Sequence, residues 1–381
     1  MNASRRPDAI VVGAGIVGAA CAAALATDGW RVTILERAFA SAGTTSVGMG
    51  HVVVMDDSRD QLALTTYSDR LWRELGPELD ARSELDKCGT LWVAEDDAQL
   101  EAVRTKQSVY ASAGIASEVL DEQGLHEAEP CLRPGLVGAL LVPGDSVVYP
   151  PGATLRLLAR AKAHGAVLRE GVEVVEFLPH GVRCKHETLS AEVIVNATGA
   201  AAALLTPALP IVPRKGHLAI TDRYPGFCRH QLVELGYLTS AHVMTNESVA
   251  FNIQPRPTGQ LLIGSSRELV GWNASVNYSV LRQMLARATE FIPGLGHLSI
   301  IRCWTGFRPA TPDKLPLIGR WEPTPGLWIA AGHEGLGITT SLATARLLAD
   351  QVAGRQTEID AAPFAPARVL SESYAEPARH E

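Results

Sequence analysis

Three glycines near the N-terminus have the spacing of a turn that binds a dinucleotide. Gly13, Gly15 and Gly18 form a G-x-G-x-x-G pattern between an apolar segment and an alanine-rich one, which predict a strand and a helix. The first glycine permits a tight turn, the second lets the backbone approach a pyrophosphate, and the third lets the helix pack on the strand. Glu36 ends the next predicted strand, where a carboxylate can bind ribose hydroxyls. Both NAD and FAD are compatible with this pattern.

A second motif favours FAD over NAD. The segment EVIVNATGA at 192–200 predicts a strand followed by a turn at Ala197, Thr198 and Gly199. A turn of this kind after the middle of the chain is typical of flavoproteins with two dinucleotide-binding motifs, where it brings the chain back past the cofactor. An ordinary strand and turn is the alternative interpretation.

A third candidate for chemistry is Arg308, in the segment TGFRPATPDKLPLIG at 305–319. A guanidinium group binds a carboxylate through two parallel hydrogen bonds, and the neighbouring prolines would stiffen the backbone that carries it. The alternative is a structural ion pair between Arg308 and Asp313 or another carboxylate. The prolines also exclude a helix, so the segment is interpreted as a stiff loop.

Composition limits the classes of partner and the number of domains. The chain has 381 residues and a net charge of −7, which indicates two domains and argues against nucleic acid and anionic membranes as partners. Its six cysteines are scattered without a C-x-x-C pair, which indicates reduced thiols, and no metal site is predicted. The sequence has no long uncharged apolar run, so no membrane span is expected and a cytoplasmic location is predicted.

The order of the predicted elements indicates a discontinuous architecture. Segments that alternate strand and helix occur at both ends and in the middle of the chain, and strand-rich segments lie between them. The prediction is an α/β fold: a Rossmann-like FAD domain with two dinucleotide-binding motifs, and an inserted α+β substrate domain on a mixed antiparallel sheet. The predicted ranges are 1–82, 150–212 and 305–365 for the FAD domain, 83–149 and 213–304 for the substrate domain, and 366–381 for a tail. The chain is expected to fray after residue 355.

Nearly the whole chain resembles the D-amino-acid oxidase family of flavoproteins. That family includes glycine oxidase, sarcosine oxidase, D-amino-acid dehydrogenase and the amine-oxidising subunits of hydroxyproline dehydrogenases. The resemblance rests on the glycine motif with Glu36, and on five further segments in the family's order: TTSVGMGHV, NATGA, FNIQPRPTGQLLIGSS, GFRPATPDKLPLIG and AAGHEGLGITTSLATARLLAD. It implies FAD as the cofactor and an amino or imino acid as the small-molecule substrate.

The resemblance also implies which residues contact FAD. Residues 44–49 would lie against the isoalloxazine ring, and the glycines after residue 331 would place backbone amides near the flavin N1–C2=O group. The implied contacts are Gly13, Gly15, Ile16, Val17, Gly18, Glu36, Arg37, Thr44, Thr45, Ser46, Gly48, Met49, Val174, Ala197, Thr198, Gly199, Gly332, Gly335, Leu336, Gly337, Ile338 and Thr339. Sarcosine oxidases carry their flavin on a cysteine at the position of Gly306, so noncovalent FAD is predicted here.

For the substrate, the resemblance assigns Arg308 to the carboxylate. Asn252 replaces a tyrosine that helps to bind the carboxylate in glycine oxidase, and Glu334-Gly335 replaces a site where that enzyme has an arginine. A pocket with less positive charge than that of glycine oxidase is therefore expected. His51, Asn252 and Gln254 are further candidates for the catalytic site, and His51 is equally compatible with a packing role.

The implied reaction is hydride transfer from the substrate Cα to flavin N5. Several of these segments look closer to hydroxyproline dehydrogenase and cyanide-forming dehydrogenase subunits than to the oxidases, and the resulting hypothesis is a D-configured cyclic imino acid such as cis-4-hydroxy-D-proline as the substrate. Electrons would then pass to a quinone or a partner protein, in a homo- or hetero-oligomer. The alternatives are a glycine, sarcosine or general D-amino-acid oxidase, and a flavin-binding subunit of a multi-subunit dehydrogenase. A flavin monooxygenase is disfavoured because AAGHEGLG lacks the expected aspartate.

Overall fold

The structure is a computed structural model, and it describes residues 8–236 and 247–370. The helices of this part of the chain are α1 (Ile16–Thr27), α2 (Thr44–Val47), α3 (Arg59–Leu75), α4 (Asp97–Ser112), α5 (Glu122–Ala128), α6 (Pro150–Ala163), α7 (Ala202–Leu205), α8 (Tyr278–Phe291) and α9 (Ser341–Val352). The strands are β1 (Asp8–Val12), β2 (Arg31–Glu36), β3 (His51–Val52), β4 (Thr90–Ala94), β5 (Glu118–Asp121), β6 (Gly138–Val142), β7 (Ser146–Val147), β8 (Val167–Glu170), β9 (Val174–Leu178), β10 (Gly181–Cys184), β11 (Thr188–Ser190), β12 (Val193–Asn196), β13 (Val212–Thr221), β14 (Gln231–Glu234), β15 (Glu247–Pro255), β16 (Leu261–Glu268), β17 (Ile300–Ala310), β18 (Leu317–Arg320) and β19 (Leu327–Ala331).

A six-stranded sheet forms the centre of one half of the molecule, which we call the cofactor side because it carries the glycine motif at residues 13–18. Its strand order is β18-β19-β12-β1-β2-β8, and all neighbours run parallel except the β18–β19 pair. Helix α1 is rich in alanine and largely buried, because it packs between this sheet and helices α6 and α9. Its small side chains let the helix approach its neighbours closely, so the turn before α1 is held at the carboxyl edge of the sheet.

An eight-stranded mixed sheet forms the second half of the molecule. Its order is β17-β13-β16-β15-β14-β4-β6-β5, with antiparallel pairs except for the parallel β14–β4 pair. Helix α8 covers one face of this sheet and buries Val280, Leu281 and Met284 against it. Phe291 of α8 stacks on Phe251 of β15 with ring centroids 4.4 Å apart. The α/β fold class predicted from the sequence is confirmed.

The segment with Arg308 differs from its prediction as a stiff loop. Residues 300–310 form β17, which pairs with β13 from Val212 opposite Ala310 to Thr221 opposite Ile300. Pro309 is tolerated because β17 is an edge strand of the sheet. The predicted division into domains stays a proposal, and we propose that its last boundary lies after Ala310, since a boundary between residues 304 and 305 would cut this strand.

The C-terminal segment is packed further than the sequence predicted. Residues 362–364 and 366–370 form short 3-10 helices, and Phe364 is buried in the core of the cofactor side. Arg368 donates to Asp313 at 2.8 Å, so the chain is anchored beyond residue 355, where fraying was expected. Residues 371–381 of the predicted tail lie outside the described residues. Among the described helices, none has both the length and the hydrophobicity needed to cross a membrane.

Candidate active site

The glycine turn between β1 and α1 leaves no room for side chains. A Cβ atom at Gly13 would lie 2.6 Å from the carbonyl oxygen of Ala197, and one at Gly18 would lie 2.0 Å from the carbonyl oxygen of Gly13. The backbone of Gly13 also has φ +104°, which favours glycine. Both glycines are therefore required for the close approach of β1, α1 and the turn at 197–199.

The first turn of α1 is suited to a pyrophosphate. Gly15 is the N-cap residue and offers no side-chain cap, while the amide of Ile16 donates to Thr45 Oγ1 at 3.1 Å. The amides that begin a helix have no partners within it, and they carry the positive end of the helix dipole. These features fit an anionic group at the N-terminus of α1.

Glu36 lies at the end of β2, beside the glycine turn. Its carboxylate accepts hydrogen bonds from the amide of Ala14 at 2.9 Å and from the amide of Ala38 at 3.0 Å. The amide of Val172 donates to the Glu36 carbonyl, which brings the segment that leads to Val174 next to this carboxylate. Arg37 follows on the exposed side. The predicted ribose and adenine contacts are thus neighbours in the fold.

The predicted flavin segments also converge, through contacts between distant parts of the chain. Thr44 Oγ1 donates to the carbonyl of Phe307 at 2.7 Å, which ties α2 to β17. A Cβ at Gly48 would lie 3.8 Å from Ile338 Cδ1, and one at Gly337 would lie 3.9 Å from Val17 Cγ2. The loop before α9 therefore lies between the start of α1 and the 44–49 segment.

Two hydrogen bonds fix the segment that carries His51. Thr339 Oγ1 donates to the carbonyl of His51 at 2.8 Å, and the amide of Gly50 donates to Gln254 Oε1 at 2.7 Å. Gln254 is buried, holds this loop and is not among the lining residues of the pocket described below, so its catalytic role stays a prediction. The remaining predicted cofactor residues, Ser46, Met49, Thr198, Gly199 and Gly332, lie within the same converging segments.

These observations fit FAD. The turn at Gly13 and Gly18 is a cradle that a single Cβ would fill, and the start of α1 lacks a side-chain cap. The first turn of α1 would hold the pyrophosphate, Glu36 the ribose and Val174 the adenine. Residues 44–49 and 335–339 would hold the isoalloxazine ring.

A pocket lies next to the predicted flavin segments, between one face of the eight-stranded sheet and the loops 51–57 and 334–336. The sheet contributes one wall from β4, β13, β14, β15 and β16. The residues that line the pocket are His51, Val53, Met55, Asp57, Gln61, Trp92, Arg214, Gln231, Val233, Asn252, Arg267, Lys314, Glu334, Gly335 and Leu336. The pocket therefore combines aromatic and aliphatic walls with an unusual number of ionic groups.

Two of the predicted catalytic residues, His51 and Asn252, line this pocket. Asn252 Oδ1 and His51 Nε2 are buried atoms that have no hydrogen-bond partner among the described residues. Burial lowers the pKa of His51 to about 4, although the residue as a whole is partly exposed. His51 is thus neutral at physiological pH, and its ring and the Asn252 amide offer acceptors to a bound ligand.

Arg308 is not among the residues that line this pocket, but it lies next to Gly335, which does, and its position depends on strand pairing. Its Nη1 atom donates to the carbonyl of Ser266 at 2.9 Å, and a Cβ at Gly335 would lie 3.7 Å from its Nε atom. On the next strand, Arg214 is directly opposite Arg308 in the register of β13 and β17. Like charges in opposed positions repel each other, so an anion near both would stabilise the pair.

Glu334 supplies that anion. Its carboxylate lies 3.5 Å from Arg214 Nη1, and its amide donates to the carbonyl of Pro309 at 2.9 Å. Burial acts to raise the pKa of Glu334, but Arg308, Arg267 and Arg214 together outweigh burial, and the pKa lies below its ordinary value. We call Arg214, Arg267 and Arg308 with Glu334 the guanidinium cluster.

The sequence reasoning missed Arg214, Arg267 and Lys314 as pocket residues. The expectation of a less positive pocket considered only positions matched to glycine oxidase, and it did not count these three cationic side chains. One signal in the sequence was available. In the sequence, the charged residues Arg267 and Glu268 directly follow the segment LLIGSS, and the structure buries both at the end of β16, where charges are uncommon without a partner or ligand.

A cluster of Glu129, Cys131 and Cys228 lies in the same half of the molecule, with its ligand-type atoms within 4.8 Å of one another. Glu129 accepts hydrogen bonds from the amides of Arg229 and His230 at 3.0 and 2.9 Å, and the Cys228 thiol donates to the carbonyl of His230. These bonds link the segment after α5 to the segment before β14. We therefore assign this cluster a structural role.

Comparisons with known proteins identify the family. Residues 8–351 match the family described as FAD dependent oxidoreductase, or DAO. The chain is 30% identical over 380 residues to glycine oxidase of Pseudomonas aeruginosa, with 94% of this chain and 98% of that protein covered. It is also 30% identical over 433 residues to D-amino acid dehydrogenase of Methylobacterium nodulans, covering 95% and 99% of the two chains.

A solved structure agrees with these sequence matches. L-proline dehydrogenase from P. horikoshii superposes with a TM-score of 0.87 at 25% identity, covering 96% of this chain and 98% of that chain. FAD, which the turn at 197–199 favoured and the family resemblance implied, is confirmed as the cofactor by the family. The chain belongs to the family of FAD dependent oxidoreductases named DAO, as its motifs predicted.

Proposed function

We propose that this protein oxidises the Cα–N bond of an amino or imino acid, and that its substrate is a D-configured cyclic imino acid such as cis-4-hydroxy-D-proline. The observation that carries the proposal is the composition of one pocket. Arg214, Arg267 and Glu334 of the guanidinium cluster, which would bind a carboxylate, line it together with the buried, unpartnered atoms Asn252 Oδ1 and His51 Nε2. A cyclic imino acid with a hydroxyl group offers one carboxylate and two hydrogen-bond donors.

The substrate carboxylate would bind at Arg308, with Arg214 and Arg267 nearby. A guanidinium group matches a carboxylate in geometry, and β17 holds Arg308 through its pairing with β13. Fixing the carboxylate would leave the ring of the imino acid towards the loops 51–57 and 334–336. Binding at a second point is then needed to present one face of Cα to the cofactor.

His51 and Asn252 provide groups for that second point. The neutral ring of His51 can accept a hydrogen bond from the substrate N–H, and Asn252 Oδ1 can accept one from the hydroxyl group. When FAD is bound, it supplies the redox chemistry by taking a hydride from Cα. The substrate loses two electrons and two protons overall, and the product is the imine, a pyrroline carboxylate.

The relatives support this class of reaction. One is named D-amino acid dehydrogenase, and one solved neighbour is named L-proline dehydrogenase, after a cyclic imino acid. We propose that electrons leave through a quinone or a partner protein, and that the enzyme works in the cytoplasm, alone or within an oligomer.

Anaerobic reduction of the bound flavin tests the proposal. D-proline, cis-4-hydroxy-D-proline, the L-isomers, glycine, sarcosine and linear D-amino acids are each mixed with the purified protein, and loss of the oxidised flavin absorbance is followed. We expect the fastest loss with cis-4-hydroxy-D-proline. Re-oxidation by quinone should then exceed re-oxidation by air.

Two outcomes would replace the proposal by an alternative. A clear preference for glycine, sarcosine or a linear D-amino acid would make the protein an oxidase or dehydrogenase of that substrate. Flavin that stays oxidised with every amine would indicate a flavin-binding subunit whose catalytic partner is missing from the assay.

A further inference from the structure

Glu334 has a backbone conformation that disfavours a side chain. Its φ is +48°, in the left-handed region where glycine is preferred. Its amide is anchored to the carbonyl of Pro309, and the amide of Gly335 donates to its Oε2 atom at 2.5 Å. Strain of this kind persists where the surrounding structure imposes it, so a carboxylate at this position indicates a functional role.

The charges around Glu334 show what its carboxylate does. Arg214 Nη1 lies 3.5 Å from Glu334 Oε1, and Arg308 and Arg267 are close enough to lower its pKa. The cluster thus holds three positive charges and one negative charge, and Lys314 with Asp57 completes the ionic lining of the pocket. Removing the Glu334 charge would raise the positive charge of the cluster by one unit.

We propose that Glu334 is a specificity-determining residue: its carboxylate removes one unit of positive charge from the guanidinium cluster and biases the pocket towards ligands with one carboxylate over ligands with two. This inference rests on the proposed function in one respect, since it takes a carboxylate as the group that the cluster binds. Glu334 pairs with Arg214 and is electrostatically coupled to Arg267 and Arg308, so it acts on the substrate through the arginines that would bind it.

The bias follows from the electrostatics of a partly buried pocket. A second carboxylate on the ligand meets repulsion from Glu334, and it also competes with Glu334 for the guanidinium group of Arg214. A ligand with one carboxylate meets less of this repulsion when it is held at Arg308. The ratio of the two affinities therefore reports on Glu334 more directly than either affinity alone.

Equilibrium binding to the FAD-loaded protein tests the inference. The probes are pyrrole-2-carboxylate and pyrrole-2,5-dicarboxylate, which share a planar ring and differ by one carboxylate. Their Kd values are measured from the change in the visible absorbance of the bound flavin. In Glu334→Gln, we expect the affinity for the dicarboxylate relative to the monocarboxylate to rise by about tenfold, the scale of one unit charge at short range under partial burial.

Two further variants separate charge from shape. Glu334→Gly removes the charge and suits the left-handed backbone, so it should fold and show the same rise in the ratio. Glu334→Asp keeps the charge and should stay near the wild-type ratio. Glu322→Gln removes one exposed carboxylate that pairs with Arg320 and does not line the pocket, and it serves as the matched control with an unchanged ratio.

An unchanged ratio in both Glu334→Gln and Glu334→Gly would overturn the inference, and so would absence of any flavin response to either probe in all variants. These probes are not oxidised. A failure of cis-4-hydroxy-D-proline as a substrate would therefore remove the proposed function and leave the measured ratio, and its interpretation, in place.

Discussion

Arg214 and Arg308 face each other across two adjacent strands, and their repulsion must be offset by a nearby anion. Glu334 is one such anion in the structure, at 3.5 Å from Arg214. A substrate carboxylate is a second anion that could bind the same pair. The site is thus built so that ligand binding relieves repulsion between residues that the fold has already brought together.

Replacing Arg308 by alanine tests its role as the carboxylate-binding residue. We expect Arg308→Ala to keep FAD and to lower kcat/KM. The loss of transition-state stabilisation should be about 3 kcal/mol or more, because the substrate carboxylate loses its charged partner. Steady-state kinetics and the flavin content of the purified variant provide the measurement.

The matched control is Arg302→Ala, on the same strand. Arg302 is exposed and lies over the Trp304 ring, away from the pocket residues. Its replacement should leave kcat/KM within a factor of about two, as expected for a surface substitution. Equal kinetics of wild type and Arg308→Ala would contradict a role in substrate binding. Arg308 would then have only a structural role, as a donor to the carbonyl of Ser266.

The glycine turn before α1 could be predicted from the sequence, whereas the meeting of Arg214 and Arg267 with Arg308 could not. Gly13, Gly15 and Gly18 act within one local turn, so their spacing carries the information. Arg214 and Arg267 come from strands that are far apart in the sequence. Their meeting depends on the register of β13, β16 and β17, and alternation along one strand does not specify its register with another.

At the scale of elements, an edge strand explains why the segment around Arg308 was misinterpreted as a loop. Prolines normally argue against a strand, since they cannot donate to a neighbouring chain. β17 pairs with β13 on one side and has no further neighbour in the described sheet, so Pro309 costs no ladder hydrogen bond on its open side. Sequence alone does not reveal which strand ends a sheet.

The same strand bears on how FAD is attached. A Cβ at Gly306 would lie 2.5 Å from Val47 Cγ2, so a larger residue at this position would require the Val47 side chain to shift. Gly306 offers no thiol, and Cys303 lies opposite Ala219 three residues earlier on the strand. We expect acid precipitation to give a colourless protein pellet and a yellow supernatant. A pellet that stayed yellow, with flavin fluorescence on a denaturing gel, would show a covalent link.

The contact between β1 and α1 gives a prediction about both stability and cofactor binding. In Gly18→Ala, the new methyl group would meet the carbonyl oxygen of Gly13 at 2.0 Å, and backbone cannot yield as a side chain can. We expect a loss of about 3 kcal/mol in the free energy of unfolding, together with loss of FAD. Thermal unfolding and flavin content of the purified variant measure the two effects.

Gly296→Ala is the control for this substitution. A Cβ at Gly296 would lie 3.9 Å from Thr289 Cγ2, which is an ordinary contact. The Gly296 variant should hold FAD and unfold near the wild-type temperature. A Gly18→Ala protein with wild-type flavin content would contradict the assignment of this glycine to close packing of helix on strand.

At the scale of the whole molecule, the site forms where the two sheets meet. Burial there opposes protonation of its histidines, so the free energy of unfolding depends on pH. Burial lowers the pKa of His51 to about 4 and that of His333 to about 3. Asp145 changes the free energy of unfolding in the opposite direction as the pH falls, because burial raises its pKa to about 7. The pH dependence of the intact protein is a sum of such opposed contributions, so each one must be measured by difference.

His333 offers the clearest such difference. Its Nε2 atom lies 3.0 Å from Thr344 Oγ1 in a buried position, and the folded protein keeps the ring neutral down to a pH of about 3. The unfolded chain takes up a proton near the ordinary histidine pKa of about 6.5, so acid favours unfolding as the pH falls through that value. This contribution to stability is fully present above pH 6.5 and declines as the pH falls towards 3.

We therefore expect His333→Gln to lose less stability than wild type on acidification. Between pH 7 and pH 5, the free energy of unfolding of wild type should fall by about 2 kcal/mol more than that of the variant, because one proton is bound by the unfolded chain alone. Urea unfolding with excess FAD at both pH values gives the four free energies. Replacing the exposed His164 by glutamine should preserve the wild-type difference, since that ring is solvated in both states. Equal declines in wild type and His333→Gln would mean that the buried ring is protonated in the folded protein, and that the contact with Thr344 survives its charge.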